Sequence, residues 1–130
     1  MAKVSHQAQR QEITHVKRGE IYLVSFDPTQ GHQIRKTRPA LIIQNDIGNR
    51  YSPVTIVAAI TSKISRVTYP VEAVIDPSRT NGLDVRSAIR LDQIRTVDRQ
   101  RLVKRLGVTD PGTMARVNQA IQISLGLIEV

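Results

Sequence analysis

The chain contains no cysteine and no tryptophan. The first absence excludes a disulfide framework, a thiolate nucleophile and a cysteine-based zinc knuckle. Aromatic residues make up only 3% of the sequence: Tyr22, Phe26, Tyr51 and Tyr69. A sheet that stacks several bases on aromatic platforms is therefore not available to it. No apolar run approaches the ~20 residues of a membrane span, and Met1 to Val16 has no apolar signal core. The expectation is a soluble, cytoplasmic protein. His6 and His15 fall in the polar N-terminal segment and read as bystanders, which leaves His32 as the histidine of the body. The motifs H-E-x-x-H, G-x-S-x-G and the Walker loop are missing, and the acidic residues are scattered without metal-ligand spacing. These absences argue against a metal hydrolase and a papain-like enzyme, and no cofactor is called for.

What is abundant is positive charge. There are 19 Lys and Arg against 11 Asp and Glu, a net charge of +8 over 130 residues. The cations are spread through the body of the chain, and arginine predominates. Nucleic acid or an acidic protein is the natural partner of such a surface, and arginine suits bidentate phosphate contacts. A merely solubilising surface would show the same totals.

Residues 1–15 are polar, Gln-rich and aperiodic, and are expected to form a flexible extension preceding one domain over 16–130. The domain reads as short strands with turn chemistry between them. The expected strands are Glu20 to Phe26, Pro39 to Gln44, Val54 to Ile60, the alternating stretch around Val71, Ala73 and Ile75, and Ala88 to Asp92. The connections 28–38, 45–53, 61–69 and 76–87 are long, as functional loops often are. Asp98 is expected to cap a short helix through Lys104, ended by Gly107, with Arg95 to Asp98 as its lead-in. Asp110-Pro111 signals a second helix, with Met114, Val117, Ile121 and Leu125 on its apolar face and Ile123 off it. The fold class is mainly β with a C-terminal helix, a strongly bent sheet or small barrel capped by that helix.

Several side chains are candidates for chemistry. Gly31-His32-Gln33-Ile34-Arg35-Lys36-Thr37-Arg38-Pro39 concentrates four actual or potential cations ahead of an apolar strand. Arg38 precedes Pro39, which biases it toward extended backbone at a strand entrance. There it can bind phosphate and stabilise developing negative charge, or simply be a surface arginine. Thr61 ends a strand, where its hydroxyl can bond a phosphate oxygen or merely terminate the strand. Arg90 and Asp92 alternate with Ile89 and Leu91 and so share a face. They read as an acid or base beside a cation, or as a structural ion pair. His32 alone in the body has an ordinary pKa near neutrality.

Taken together, the segments Lys17-Arg18-Gly19-Glu20-Ile21-Tyr22, Thr37-Arg38-Pro39, Ile42-Ile43-Gln44-Asn45-Asp46, Ser52-Pro53, Ala58-Ala59-Ile60-Thr61, Asp92-Gln93-Ile94-Arg95-Thr96 and Ile123-Ser124-Leu125-Gly126-Leu127 resemble the MazF/PemK (Kid) family of toxin endoribonucleases. The resemblance runs from about Val16 to Leu127. It implies an SH3-like or CcdB-like small barrel, a homodimer, a cognate antitoxin with an acidic C-terminal segment, and metal-independent cleavage of single-stranded RNA at a short sequence. The implied reaction is attack of a ribose 2′-OH on the adjacent phosphate. The MazF-like catalytic pair maps onto Arg38 and Thr61, and the Kid-like set onto His32, Arg90 and Asp92. Arginine is a poor base, so Arg38 is assigned to charge stabilisation, and Asp92 either acts as base or orients Arg90. Gln33, Arg35, Lys36, Thr37, Ser62, Lys63 and Arg66 are the candidate RNA contacts. Many relatives carry Glu where this chain has Gln33, which implies low activity or an altered sequence preference. Two other readings stay open: a non-catalytic, CcdB-like gyrase-binding toxin, and an RNA-binding module without activity.

Overall fold

The computed structural model describes residues 13, 15–26, 37–67 and 70–129. Its six strands are β1 (Glu20–Ser25), β2 (Thr37–Ile42), β3 (Val54–Thr61), β4 (Glu72–Ile75), β5 (Ser87–Asp98) and β6 (Leu102–Val108). They form one sheet in the order β4-β5-β3-β2-β1-β6, with every neighbouring pair antiparallel. Two helices complete it, α1 (Asp46–Tyr51) and α2 (Pro111–Ser124). Among the described residues no helix is long and apolar enough to cross a membrane.

The central strands are buried on both faces, which is why Ala40-Leu41-Ile42 and Ile56-Val57-Ala58 read as continuous apolar runs. Ile21, Leu41, Ala58, Ile60, Ile89 and Leu91 turn toward α2 and form one core with its Val117 and Ala120. Tyr22, Val24, Ala40, Ile42, Val57 and Val97 point the other way into a second core, joined by Val16 and Leu102. Register shifts in the β1–β6 pair and between Ala58 and Ala59 in the β3–β5 pair bend the sheet, as bulges do. The two end strands are bridged by the connection after β4, where the Val108 amide donates to the Thr80 carbonyl at 2.9 Å.

Three expectations are corrected. The short helix expected after Asp98 is a 3₁₀ turn of three residues, Arg99–Arg101, although Asp98 does cap it by accepting from the Gln100 amide at 2.9 Å. The chain then becomes β6, because Leu102 is buried in the second core and pairing with β1 overrides local helical preference. Arg95 to Asp98, expected as a lead-in to that helix, instead extends β5 alongside β3. Leu125 is 60% exposed and lies beyond the apolar face of α2, whose buried positions are Thr113, Val117 and Ala120. Asp110 caps α2 as expected, accepting from the Thr113 amide and hydroxyl.

The expected 45–53 loop folds into α1 around a buried amide. Asn49 is fully buried; its Nδ2 donates to the Gln44 carbonyl, and its Oδ1 accepts from Gln44 Nε2 and from the Thr55 hydroxyl at 2.7 Å. Asn49→Ala should cost about 3 kcal/mol, because buried donors and an acceptor lose their partner together. That corresponds to a drop in Tm on the order of 10 °C, read by thermal denaturation.

Candidate active site

Strand register brings Arg38, Thr61 and Arg90 to one face of the sheet. Arg38 pairs with Val24 at the start of β2. Continuing the β2–β3 register beyond Ala40↔Ala59 sets Arg38 across from Thr61, the last residue of β3. Ala59 in turn pairs with Arg90 on β5, and Arg90 with Glu72 on β4. Directly opposed residues share a sheet face, and alternation puts Arg38 on the side of Ala40 and Thr61 on the side of Ala59. Arg38, Thr61, Arg90 and Glu72 therefore lie on one face, at the edge of the second core and away from α2.

The two arginines differ in commitment. Arg38 is exposed, and its side chain makes no hydrogen bond or ion pair with another described residue. The Arg90 side chain is 20% exposed and grips Asp92 by a two-pronged contact, Nε to Oδ1 at 3.0 Å and Nη2 to Oδ2 at 2.7 Å. The hydrogen bonds from Arg90 hold the Asp92 carboxyl below its ordinary range. A carboxylate so stabilised is a weak proton acceptor at neutral pH. The Thr61 hydroxyl accepts from the Lys63 amide at 3.1 Å; as both donor and acceptor it keeps its own hydrogen to offer to a phosphate oxygen.

Thr37 begins β2 beside Arg38, while Ser62, Lys63 and Arg66 are exposed in the segment immediately after Thr61. His32, Gln33, Arg35 and Lys36 lie outside the described residues. Among the described residues no group of three His, Cys, Asp or Glu side chains converges as a metal site. Sequence reasoning missed Glu72, whose side chain is only 3% exposed. The signal for it was the alternation of Val71, Ala73 and Ile75, which sends Glu72 to the opposite face.

Asp46 and Asp110 are also held low, by the Arg18 amide and by the Thr113 side chain respectively. For Asp46, Asp92 and Asp110 the folded-state pKa lies below the ordinary value of 3.8. Their stabilisation is present above that value and is lost as pH falls through the folded-state values. A Tm series should therefore be level from neutral pH down to about pH 5 and decline below about pH 4, and Asp92→Asn should make that decline shallower.

The chain and its fold resemble known proteins. Residues 17–125 match the family model described as PemK-like, MazF-like toxin of type II toxin–antitoxin system. The chain is 46% identical over 114 residues to the endoribonuclease EndoA of Bacillus subtilis, covering 88% of this chain and 97% of that protein. It is also 46% identical over 112 residues to the endoribonuclease MazF of Staphylococcus saprophyticus, covering 86% of this chain and 92% of the relative. Among solved structures, a mycobacterial endoribonuclease in complex with its cognate antitoxin superposes with a TM-score of 0.71 at 26% identity, covering 88% of this chain and 99% of that one. With the match spanning all six described strands and α2, the chain belongs to the PemK-like, MazF-like toxins of type II toxin–antitoxin systems.

Proposed function

We propose that the protein is a cytoplasmic toxin that cleaves single-stranded RNA at a short sequence by metal-independent transesterification, acts as a homodimer and is neutralised by a cognate antitoxin. The observation that carries this reading is the exposed Arg38 on the same sheet face as Thr61 and the Arg90–Asp92 pair. The ribose 2′ oxygen attacks the adjacent phosphorus and loses its proton. The P–O5′ bond breaks and the leaving oxygen takes a proton, giving a 2′,3′-cyclic phosphate and a 5′-OH. Negative charge builds on the non-bridging oxygens during attack, and a guanidinium aimed at them stabilises the transition state more than the ground state. Arg38 has that role, and Thr61 donates to the same phosphate. Asp92 is assigned to orienting Arg90 before RNA binds, in keeping with its depressed pKa. Ser62, Lys63 and Arg66 provide further contacts along the RNA, as do Gln33, Arg35, Lys36 and Thr37, which precede Arg38 in the sequence.

Incubation of the purified protein with a long single-stranded RNA in EDTA tests the proposal. Discrete fragments ending in a 2′,3′-cyclic phosphate and a 5′-OH are expected, with the recognition sequence read from their termini. Intact RNA, or cleavage that needs an added divalent ion, would contradict it. Affinity for a non-cleavable 2′-deoxy analogue should fall steeply with salt, since phosphate contacts dominate the binding of such a cationic face.

A further inference from the structure

We propose that Glu72 is a positioning residue, which keeps Arg90 in the site and ties the segment carrying Lys63 and Arg66 to the same point. The inference rests on reading this face as the RNA-cleaving site. Glu72 and Arg90 are directly paired across β4 and β5. Glu72 Oε2 lies 3.8 Å from Arg90 Nε and accepts from the Ser65 hydroxyl at 3.2 Å. One guanidinium thus faces two carboxylates of different accessibility. The Asp92 side chain is 31% exposed, whereas that of Glu72 is 3% exposed.

That difference divides the labour. An incoming phosphate can displace the accessible carboxylate of Asp92 from the Arg90 fork. It cannot reach Glu72, so Arg90 turns toward RNA while its stem stays anchored from below. A lone arginine would lose its orientation when it released Asp92, and misplaced cations are weak catalysts. Ser65 lies between Lys63 and Arg66, and both are exposed. Its bond to Glu72 links the segment carrying these cations to Arg90, so the cationic surface is registered to one shielded carboxylate.

Glu72→Gln keeps the shape and an acceptor for Ser65 but removes the charge. Two measurements test the assignment, with thermal melts confirming that each variant folds. In the first, hydrogen exchange at the Arg90 Nε–H is followed by NMR without RNA. In Asp92→Ala the Nε–H loses its 3.0 Å bond and should close the 3.8 Å gap to Glu72, staying protected; that protection should fall roughly tenfold or more when Glu72→Gln is added. Equal protection in the single and double variants would overturn the clamp. In the second, E72Q should lower kcat/KM on a short RNA by roughly 10- to 100-fold, mostly in kcat. In an Arg90→Met background it should have no further effect, and an additive loss would overturn action through Arg90. If the wild-type protein leaves RNA intact, the nuclease reading fails by itself, and the exchange measurement alone decides whether Glu72 holds Arg90.

Discussion

Replacing Arg38 with alanine should lower RNA cleavage at least roughly 10²-fold while leaving Tm within a few degrees of the wild type. The size follows from losing a donor aimed at charge that exists only in the transition state. The unchanged Tm follows from position: Arg38 is exposed and its side chain bonds no other described residue. Arg90 is a useful contrast. Its removal would deprive Asp92 and the nearly buried Glu72 of their shared counter-charge, and leaving a buried charge unpaired is costly. Arg90→Ala should therefore lose both activity and stability, whereas Arg38→Ala loses activity alone. Single-turnover cleavage beside a melting curve separates the two outcomes. Parental cleavage rates in Arg38→Ala would remove this residue from the mechanism.

Gly82→Ala should be the most damaging small substitution for the fold. Gly82 has φ +72°, where an L side chain is strained by ~1–2 kcal/mol. An added Cβ would also stand 2.1 Å from the Leu106 carbonyl oxygen and 2.7 Å from its carbon. Backbone cannot yield as a flexible side chain does, so overpacking adds ~1–3 kcal/mol. The sum, about 3 kcal/mol or more, is a large share of the stability of a domain this size. Gly126→Ala is the control. Its φ is +74° but nothing lies within 4 Å, so it should show the backbone strain alone. Denaturant titration of both variants checks the prediction. Equal midpoints would mean that the crossing of this connection over β6 contributes nothing.

The strands were legible where apolar runs were continuous or cleanly alternating, as in β3 and β4. The start of α2 was legible because Asp110-Pro111 is a local signal. β6 was not, since Leu102-Val103-Lys104-Arg105 carries no strand pattern by itself and becomes one only by pairing with β1. The helix in 46–51 was hidden because its stability comes from the buried Asn49 and not from propensity. In the site, Arg38 and Thr61 stood out as residues at strand boundaries, but their adjacency is a property of register, which a single sequence does not display. Glu72 was overlooked because a carboxylate in an alternating strand usually faces water. The segment Lys17 to Tyr22 proves to be architectural. The Lys17 amide donates to Glu20, and Arg18 donates through its amide to Asp46, through Nε to the Ile43 carbonyl and through Nη2 to Asn118.

The sheet order has a consequence for synthesis. Among the described strands β1 is the first made, yet its outer edge is covered by β6, the last. A ribosome-bound fragment ending before Leu102 therefore carries an open edge, and it also lacks the helix that roofs one of the two cores. Such a fragment is prone to pair with other chains and has no finished platform on which to hold RNA.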